Sequence, residues 1–238
     1  MTSSIEGKVA LITGGSTGIG LATALRFTKE GVKVAIANPN IERGNTAVRT
    51  IQDAGGDAIF IQTDVSDPEQ VKAMVAKVVD HYGQLNFAFN NAGFGGEMGP
   101  IHASSVENFE RVIDVNLKGI WLSMKYEIEH MMENGGGVIV NTSSTAGGRS
   151  MAGLGAYAAS KHGVNAITQV AALEYAPAGI RVNSVMPGPV ETPMLAGIRE
   201  AIPGVEDQFV TMVPQARVGD ASEIAAAVVW LCSDEASF

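Results

Sequence analysis

The sequence is 238 residues long, 46% of it apolar, with a formal net charge of −9. This length and apolar content predict one domain, residues 1–238, with a sizeable buried core. The acidic balance and the lack of Lys and Arg clusters exclude a nucleic-acid or anionic-membrane partner, because phosphate binding requires such clusters.

Short β-branched apolar runs alternate with amphipathic stretches of helical length along the chain. Each run predicts a buried strand, and the alternation implies right-handed crossovers and a doubly wound parallel α/β sheet covered on both faces. The first helix is predicted to end at Gly31, where glycine suits a left-handed cap. The predicted strands are residues 8–13, 32–37, 57–62, 85–90, 137–142 and 180–185.

The turn after the first predicted strand reads TGGSTGIG and places Gly14, Gly18 and Gly20 before the first helix. Glycines there let backbone N–H groups approach a pyrophosphate, and the helix points the positive end of its dipole at the charge. The spacing does not fit the general G-x-G-x-x-G fingerprint, and a glycine-rich turn can be a simple tight loop. Its position between strand and helix favours a dinucleotide site and a Rossmann fold.

Asn38 ends the second predicted strand, where a carboxylate would bind the adenosine ribose hydroxyls and select NAD. No arginine lies beside it to bind a 2′-phosphate; only Arg43, one helical turn later, is within reach. The missing negative charge removes a repulsion against NADP without creating an attraction. We therefore predict an NAD(P)(H) cofactor and favour NADP(H).

Tyr157 and Lys161 stand four positions apart, so they share one face of a predicted helix. Such pairs also occur by chance on helix surfaces. His162 follows the lysine directly but faces another direction, which predicts a surface or interface histidine. Glu97, in the loop after the fourth strand, is interpreted as a solvated glutamate rather than a substrate contact.

The last third of the sequence contains one long irregular stretch, about residues 188–222, with Pro193, Pro203 and Pro214. It exceeds a typical connection, which predicts a substrate-covering lid. Near the end, the lone Cys232 excludes an internal disulfide and a cysteine metal cluster, and its apolar setting predicts a packed thiol. We predict no metal. Since neither a signal-like opening nor a run of membrane-spanning length occurs, we predict a cytoplasmic protein without a membrane partner.

Seven motifs occur in an order and spacing that resemble the short-chain dehydrogenase/reductase family from about residue 6 to 238. They are TGGSTGIG (13–20), DV (64–65), NNAG (90–93), VNLKG (115–119), NTSS (141–144), YAASK (157–161) and PGPVETPM (187–194). The resemblance implies a one-domain, nicotinamide-dependent oxidoreductase. It also implies a seventh strand and a tail beyond residue 238.

The resemblance carries functional residues over to matching positions. It implies a catalytic set of Asn116, Ser144, Tyr157 and Lys161, with Ser144 preferred to Ser143 because the family spacing to the tyrosine is thirteen. Thr192 would hold the nicotinamide carboxamide, and Asp64 and Val65 the adenine. The cofactor set comprises Gly14, Ser16, Thr17, Gly18, Ile19, Gly20, Asn38, Asp64, Val65, Asn90, Ala92, Gly93, Tyr157, Lys161, Pro187, Gly188, Val190 and Thr192.

The Tyr157 and Lys161 pair then has a chemical interpretation. Hydride transfer between a carbinol carbon and nicotinamide requires a proton to leave or join the oxygen. A free tyrosine, with a pKa of about 10, is a poor base at neutral pH, so a nearby lysine ammonium is expected to lower that pKa. Ser144 would donate to the substrate oxygen, and Asn116 would hold a water that links Lys161 to solvent.

We predict an NAD(P)-dependent alcohol dehydrogenase or carbonyl reductase for a small secondary alcohol or ketone. One alternative is a reductase of carrier-linked 3-oxoacyl chains, which the acidic charge disfavours. A non-catalytic dinucleotide sensor and a sugar-nucleotide epimerase are further alternatives. A sensor does not need the proton-transfer residues, and an epimerase usually needs a larger substrate domain.

Two features of the sequence concern the substrate and the assembly. Loop residues expected to frame the substrate are apolar, which predicts a largely hydrophobic pocket; they are Met151, Leu154, Met194 and Leu195. The helices near 104–131 and 157–176 contain more apolar surface than one buried stripe requires. Because the family pairs these helices across a two-fold axis, the resemblance implies a homodimer or homotetramer.

Overall fold

The computed structural model describes residues 5–202 and 204–238, and within them the predicted alternation of strands and helices is confirmed. Every strand lies within two residues of its predicted bounds. The strands are Val9–Thr13 (β1), Lys33–Asn38 (β2), Ala58–Gln62 (β3), Phe87–Asn90 (β4), Gly137–Thr142 (β5) and Ile180–Val185 (β6).

The helices connect these strands and cover the sheet. In chain order they are Gly18–Lys29 (α1), Ile41–Asp53 (α2), Pro68–Tyr82 (α3), Val106–Ile113 (α4), Gly119–Glu133 (α5), Gly155–Tyr175 (α6), Pro193–Ala201 (α7), Val205–Thr211 (α8) and Ala221–Cys232 (α9). A π-helical turn, Asp114–Lys118, joins α4 to α5. Gly31 has a φ of +75° directly after α1, so the predicted left-handed end of that helix is confirmed.

The described strands form one parallel sheet in the order β3-β2-β1-β4-β5-β6. The chain runs from β1 outward to β3 and then returns to place β4 on the other side of β1. In a doubly wound sheet, the crevice outside the carboxyl ends of the strands at this reversal is where ligands bind. The predicted Rossmann architecture is therefore confirmed.

Alternation along β1 separates two hydrophobic cores on opposite faces of the sheet. Val9 and Leu11 pack with α3, α5 and α6, whereas Ala10 and Ile12 pack with α1, α2 and α9. All five residues of the strand are buried, as expected for a parallel strand with helices on both sides. Cys232 lies in the second core, and burial raises its pKa to about 12, which confirms a packed thiol.

The stretch of about residues 188–222 differs from its prediction as irregular chain because α7 and α8 lie inside it. Pro193 occupies the first turn of α7, where a missing N–H is tolerated and proline favours a helix start. Pro203, also singled out in the sequence, lies outside the described residues. β6 forms one edge of the described sheet.

Candidate active site

A large cavity opens along the carboxyl ends of the strands and has a volume of about 1670 Å³. Sites for one small molecule commonly occupy roughly 300–1,000 Å³, so this cavity has room for a dinucleotide together with a substrate. Its wall combines the glycine-rich turn, the ends of β2 to β5, the start of α6 and the segment that contains α7 and α8.

At three positions of the turn, neighbouring atoms lie so close to the backbone that a residue with a Cβ would not fit without a shift. Gly14 has a φ of +64°, and a Cβ there would lie 3.0 Å from the Cα of Ala92. Gly18 has a φ of +52°, and its Cβ would lie 3.1 Å from Cγ2 of Thr192. A Cβ on Gly20 would come within 2.3 Å of the Gly14 carbonyl oxygen. The spacing of these glycines thus brings α1, β4 and the segment after β6 together around one turn.

The beginning of α1 suits a diphosphate group. Thr17 occupies the N-cap position but its side chain makes no capping hydrogen bond, and the first turn contains no acidic residue. The first N–H groups of a helix have no intrahelical partner and attract anions. Ser16 Oγ is buried beside them and has no hydrogen-bond partner in the described part of the chain. These donors and the glycine contacts fit the pyrophosphate of a dinucleotide.

The part of the cavity nearest β2 and β3 is lined by Asn38, Asp64 and Val65. The Asn38 side-chain oxygen accepts a 2.7 Å hydrogen bond from the Asn40 backbone N–H, which leaves its amide donor group unused by that contact. Asp64 is exposed and accepts a 2.7 Å bond from the Ser66 hydroxyl. The donor and acceptor atoms suit an adenosine moiety.

Tyr157, Ser144 and Lys161 meet at the cavity wall between β5 and α6. The Ser144 side chain lies close enough to the Tyr157 hydroxyl to lower the pKa of the tyrosine. Lys161 is only 2% exposed; its Nζ lies 5.7 Å from the centre of the Tyr157 ring and donates a 2.7 Å bond to the Thr142 carbonyl. The i, i+4 spacing on α6 thus brings both side chains to one location, next to the serine.

The protonation preferences of this group depend on burial. Burial raises the pKa of Tyr157, and the nearby Ser144 side chain only partly opposes this effect. Lowering of the tyrosine pKa by Lys161 stays a prediction; the Lys161 ammonium donates to the Thr142 carbonyl. Burial also lowers the pKa of Lys161 to about 8.

Ser143 and Ser144 have distinct hydrogen-bond partners. Ser143 is buried, and its hydroxyl donates a 3.0 Å bond to the Lys161 backbone carbonyl. Ser144 faces the cavity beside Tyr157 and also accepts a 3.1 Å bond from the Ala146 N–H. Both serines line the cavity, and the choice of Ser144 as the catalytic serine stays a prediction.

Asn116 lies in the π-helical turn and is fully buried, outside the cavity lining. Its side chain accepts a 2.7 Å bond from the Phe94 N–H and donates bonds of 2.9 Å to the Phe94 carbonyl and 3.2 Å to the Ser160 hydroxyl. The water-holding role of Asn116 stays a prediction. The side chain fixes the loop after β4 against α6.

Asn90 differs from its expected place at the edge of the cleft. Its side chain points into the core and donates to Glu127 and Asn141 at 2.9 Å and 3.1 Å. Ser16 and Gly20 likewise support the turn from outside the lining. The predicted site residues that do line the cavity are Gly14, Thr17, Gly18, Ile19, Asn38, Asp64, Val65, Ala92, Gly93, Ser144, Tyr157, Lys161, Pro187, Gly188, Val190 and Thr192.

The apolar frame predicted for the substrate is present, and the structure adds members that the sequence did not reveal. Met151, Leu154, Met194 and Leu195 all line the cavity. Further apolar lining residues come from separate loops and helices, so no periodic pattern could have found them; they are Phe94, Met98, Met186, Ile198, Phe209, Met212 and Val213.

The polar residues His162 and Glu97 are exposed, as the sequence predicts. The Nδ1 of His162 lies 2.9 Å from the Ala158 carbonyl. Glu97 is absent from the lining. Within residues 5–202 and 204–238, no group of three or more His, Cys, Asp or Glu is arranged to hold a metal ion. No helix in that part of the chain is long and apolar enough to cross a membrane.

Comparison with known proteins identifies the family. The family model described as enoyl-(acyl carrier protein) reductase matches residues 14–238. A cyclohexanol dehydrogenase of an Acinetobacter species is 43% identical, with 100% of this chain and 92% of that protein covered. A 2,5-dichloro-2,5-cyclohexadiene-1,4-diol dehydrogenase of Sphingobium indicum is 40% identical over 99% of this chain and 94% of that protein.

Solved structures of similar proteins support the same family. An NAD⁺-bound xylitol dehydrogenase has a TM-score of 0.95 and 34% identity, covering 99% of this chain and 96% of its own. A variant of actinorhodin polyketide ketoreductase with NADPH has a TM-score of 0.93 and 36% identity, covering 100% and 94%. The chain belongs to the short-chain dehydrogenase/reductase family. It is an NAD(P)-dependent oxidoreductase that acts on alcohols and ketones, which excludes the sensor alternative.

Proposed function

We propose that the protein interconverts a secondary alcohol on a carbon ring and the corresponding cyclic ketone, with Tyr157 as the general acid and base. The placement of Tyr157 beside Ser144 at the cavity wall, with Lys161 buried next to them, carries the proposal. The bound nicotinamide supplies the chemistry of accepting or donating the hydride.

The protein groups handle the proton and the oxygen. Ser144 donates to the substrate oxygen and keeps it within reach of the Tyr157 hydroxyl, so that charge developing on the oxygen meets a fixed donor. Tyr157 gives its proton to the oxygen during ketone reduction and takes one during alcohol oxidation. Because burial raises the pKa of Tyr157, its protonated form dominates near neutral pH, which favours reduction there and oxidation at higher pH.

The substrate end of the cavity supports an apolar ring. Five methionines contribute to its lining, Met98, Met151, Met186, Met194 and Met212. Their unbranched side chains adapt to irregular apolar shapes. Two similar proteins are named for alcohols on six-membered carbon rings, cyclohexanol and a chlorinated cyclohexadienediol. We propose that the same class of substrate binds here.

A reductase of carrier-linked acyl chains is the second candidate, favoured by the description of the matching family model. An acidic carrier needs a basic docking patch. The wall of the cavity formed by α4 and the π-helical turn after it instead presents Glu107, Glu110 and Asp114, with Arg111 among them and Lys118 paired to Asp114 at 3.0 Å. This acidic surface disfavours the carrier, and an assay that compares a carrier-linked with a free ketone separates the two candidates.

Three further assignments belong to the proposal. We propose a preference for NADP(H), since Asn38 adds no charge against a 2′-phosphate. The segment of about residues 188–222 is proposed to cover the substrate, since α7 and α8 contribute to the cavity wall.

A homodimer or homotetramer is proposed because Trp121 and Leu173 expose 51% and 81% of their surface on α5 and α6. Sedimentation velocity measures the assembly, and a monomer at micromolar concentration would contradict it.

Replacing Tyr157 by Phe tests the function. The change removes the transferable proton and keeps the ring, so turnover of cyclohexanol with NAD⁺ or NADP⁺, and of cyclohexanone with the reduced cofactors, should fall roughly 10²-fold to 10⁴-fold. The dissociation constant of NADH, followed by nicotinamide fluorescence, should change by less than about threefold, or about 0.6 kcal/mol. Steady-state rates in both directions, at about pH 6 to 10, provide the measurement.

Tyr175→Phe is the matched control, because Tyr175 lies on the same helix but outside the cavity lining. It should retain near-wild-type turnover. Near-normal turnover in Tyr157→Phe would reject Tyr157 as the acid and base. Activity on other ketones without any on cyclic ones would keep the mechanism and reject the substrate class.

A further inference from the structure

A buried polar chain runs beneath the candidate active site, at the interface of α5, β4, β5 and α6. Asn90 donates to Glu127 Oε2 at 2.9 Å and to Asn141 Oδ1 at 3.1 Å. Asn141 then donates to Thr168 Oγ1 at 2.9 Å, and the Thr168 hydroxyl donates to the Val164 carbonyl at 2.7 Å. Four elements are thus joined by side chains that have almost no contact with solvent.

The hydrogen bonds run outward from Asn90 in two directions, to Glu127 at one end and through Asn141 and Thr168 to the Val164 carbonyl at the other. Both hydrogens of the Asn90 amide are committed, one to Glu127 and one to Asn141. Both hydrogens of the Asn141 amide are also committed, to Thr168 and to Met124 Sδ at 3.1 Å. Because Glu127 accepts at the end, it fixes the orientation of the Asn90 amide and, through it, that of Asn141.

This arrangement is costly, which argues against a purely packing role. Glu127 is 0% exposed, and burial raises its pKa to about 8. Its second oxygen Oε1, together with Asn90 Oδ1 and Ser123 Oγ, has no hydrogen-bond partner among residues 5–202 and 204–238. Buried polar atoms without partners are destabilising, and an apolar side chain would avoid that loss. Such local conflicts are expected where function requires them.

The two asparagines lie directly before segments that form the site. Asn90 precedes Asn91, which donates to the Thr13 and Gly14 carbonyls at 3.3 Å and thereby ties β4 to the glycine-rich turn. Asn141 precedes Thr142, whose carbonyl accepts from Lys161 Nζ. A shift at either asparagine therefore moves a group that contacts the cofactor turn or the lysine.

The far end of the chain is on the helix that carries the reacting groups. Thr168 lies on α6, seven residues after Lys161 and therefore two turns further along the same face. Its hydrogen bond to Asn141 fixes the position of α6 along β5. The distance between Tyr157 on α6 and Ser144 after β5 depends on that position.

We propose that Glu127 is a positioning residue that, through Asn90, Asn141 and Thr168, sets α6 against β4 and β5 and thereby places Tyr157 and Lys161 for reaction. The proposal rests on the proposed function of Tyr157. A reacting group misplaced by 1 Å reduces the rate by about 10²-fold. Loss of the acceptor at Glu127 therefore acts on kcat more than on cofactor binding.

Two variants of Glu127 separate its polar role from its volume. Glu127→Leu fills the space but offers Asn90 no acceptor, and kcat for cyclohexanol with NAD⁺ should fall about tenfold or more. The dissociation constant of NADH should change less than about threefold. Glu127→Gln keeps an oxygen for Asn90 and should restore kcat to within about twofold of wild type.

Thr168→Val breaks the other end of the chain without altering Glu127 and should lower kcat in the same direction. The double variant of Glu127→Leu with Thr168→Val should lose less than the product of the single losses, because both act through one chain. Thr168→Val alone keeps the proposal testable where Glu127→Leu folds poorly. Ile128→Val is the matched control, since Ile128 is a buried neighbour on α5 outside the polar chain.

Ile128→Val should lower the melting temperature slightly with wild-type kcat. A Glu127→Leu protein that loses only thermal stability while its kcat equals that of wild type would overturn the proposal, as would strictly multiplicative losses in the double variant. Tyr157→Phe is measured in the same assay. If it retains turnover, the proposed function fails; if it is inactive while Glu127→Leu and Thr168→Val are normal, only the positioning role fails.

Discussion

At the residue scale, Asn38 is the group on which discrimination between the two cofactors is expected to depend. Asn38→Asp keeps an oxygen for the Asn40 N–H, so the turn after β2 is preserved. The added carboxylate repels a 2′-phosphate and accepts hydrogen bonds from the ribose hydroxyls. We expect the ratio of the NADPH and NADH dissociation constants to rise at least tenfold, about 1.4 kcal/mol. Nicotinamide fluorescence titration measures both constants.

Asn40→Asp provides the control for that substitution. It adds the same charge two residues away at the N-cap of α2, where aspartate is well tolerated, and Asn40 does not line the cavity. The ratio should hardly change in this variant. An unchanged ratio in Asn38→Asp would assign control of the ribose pocket to another residue, and an equal shift in both variants would indicate a long-range charge effect.

Side-chain direction is the part of the site that the sequence could not predict. The position of Tyr157 and Lys161 follows from helical spacing alone, and their proximity to Ser144 follows from the resemblance. The directions of Asn116 and Asn90 depend on the π-helical turn and on partners such as Phe94 and Glu127, which are distant in sequence. Nor does spacing reveal that desolvation by burial is the largest influence on the pKa of Tyr157.

At the element scale, strands were more predictable than the segment after β6. Each strand is a short apolar run, and β1, β2, β4 and β5 are almost wholly buried, so the pattern is strong and the bounds agree within two residues. The helices α7 and α8 are only nine and seven residues long. Helices of this length show little periodicity, and the prolines around them suggested irregular chain.

The covering segment leads to a prediction about exchange of backbone amide hydrogens. Phe209 and Met212 from this segment line the cavity, and Arg199 on α7 makes two 2.8 Å bonds to Glu191. When NADH and cyclohexanol are both bound, the amides of α7 and α8 should exchange several-fold more slowly, because the ligands stabilise the closed arrangement. Hydrogen-exchange mass spectrometry measures the rates.

The helix α3 serves as the internal reference for that experiment, since none of its residues lines the cavity. Its exchange should stay nearly constant. Equal slowing in α3 and α7 would indicate a general gain in stability rather than a lid, and unchanged rates in α7 and α8 would reject the covering role of the segment.

At the scale of the whole molecule, Glu127 couples global stability to pH. The pKa of this carboxyl is about 8 in the folded chain, against an ordinary value of 4.5 that applies after unfolding. The folded state therefore retains a proton that the unfolded state has lost. The resulting stability is fully present below about pH 4.5, declines as pH rises, and is lost by about pH 8.

The elements around Glu127 present few other charges. Asn90, Asn141 and Thr168 face it from β4, β5 and α6, and the residues of α3 that pack in this core are apolar. Lys161 is the other buried charged side chain in the described part of the chain. Its lowered pKa acts in the opposite sense, above about pH 8, and this effect is common to wild type and to variants of Glu127.

Glu127→Gln therefore isolates the contribution of the carboxyl. Glutamine does not ionise, so the free energy of unfolding of the variant relative to wild type should rise steadily between about pH 5 and pH 8 and then level off. A few kcal/mol is the expected span, since each unit of pKa difference corresponds to about 1.4 kcal/mol. Urea unfolding at about pH 5, 6, 7 and 8 without cofactor gives the difference directly. A difference that stays constant between about pH 5 and pH 8 would mean that folding does not raise the pKa of Glu127.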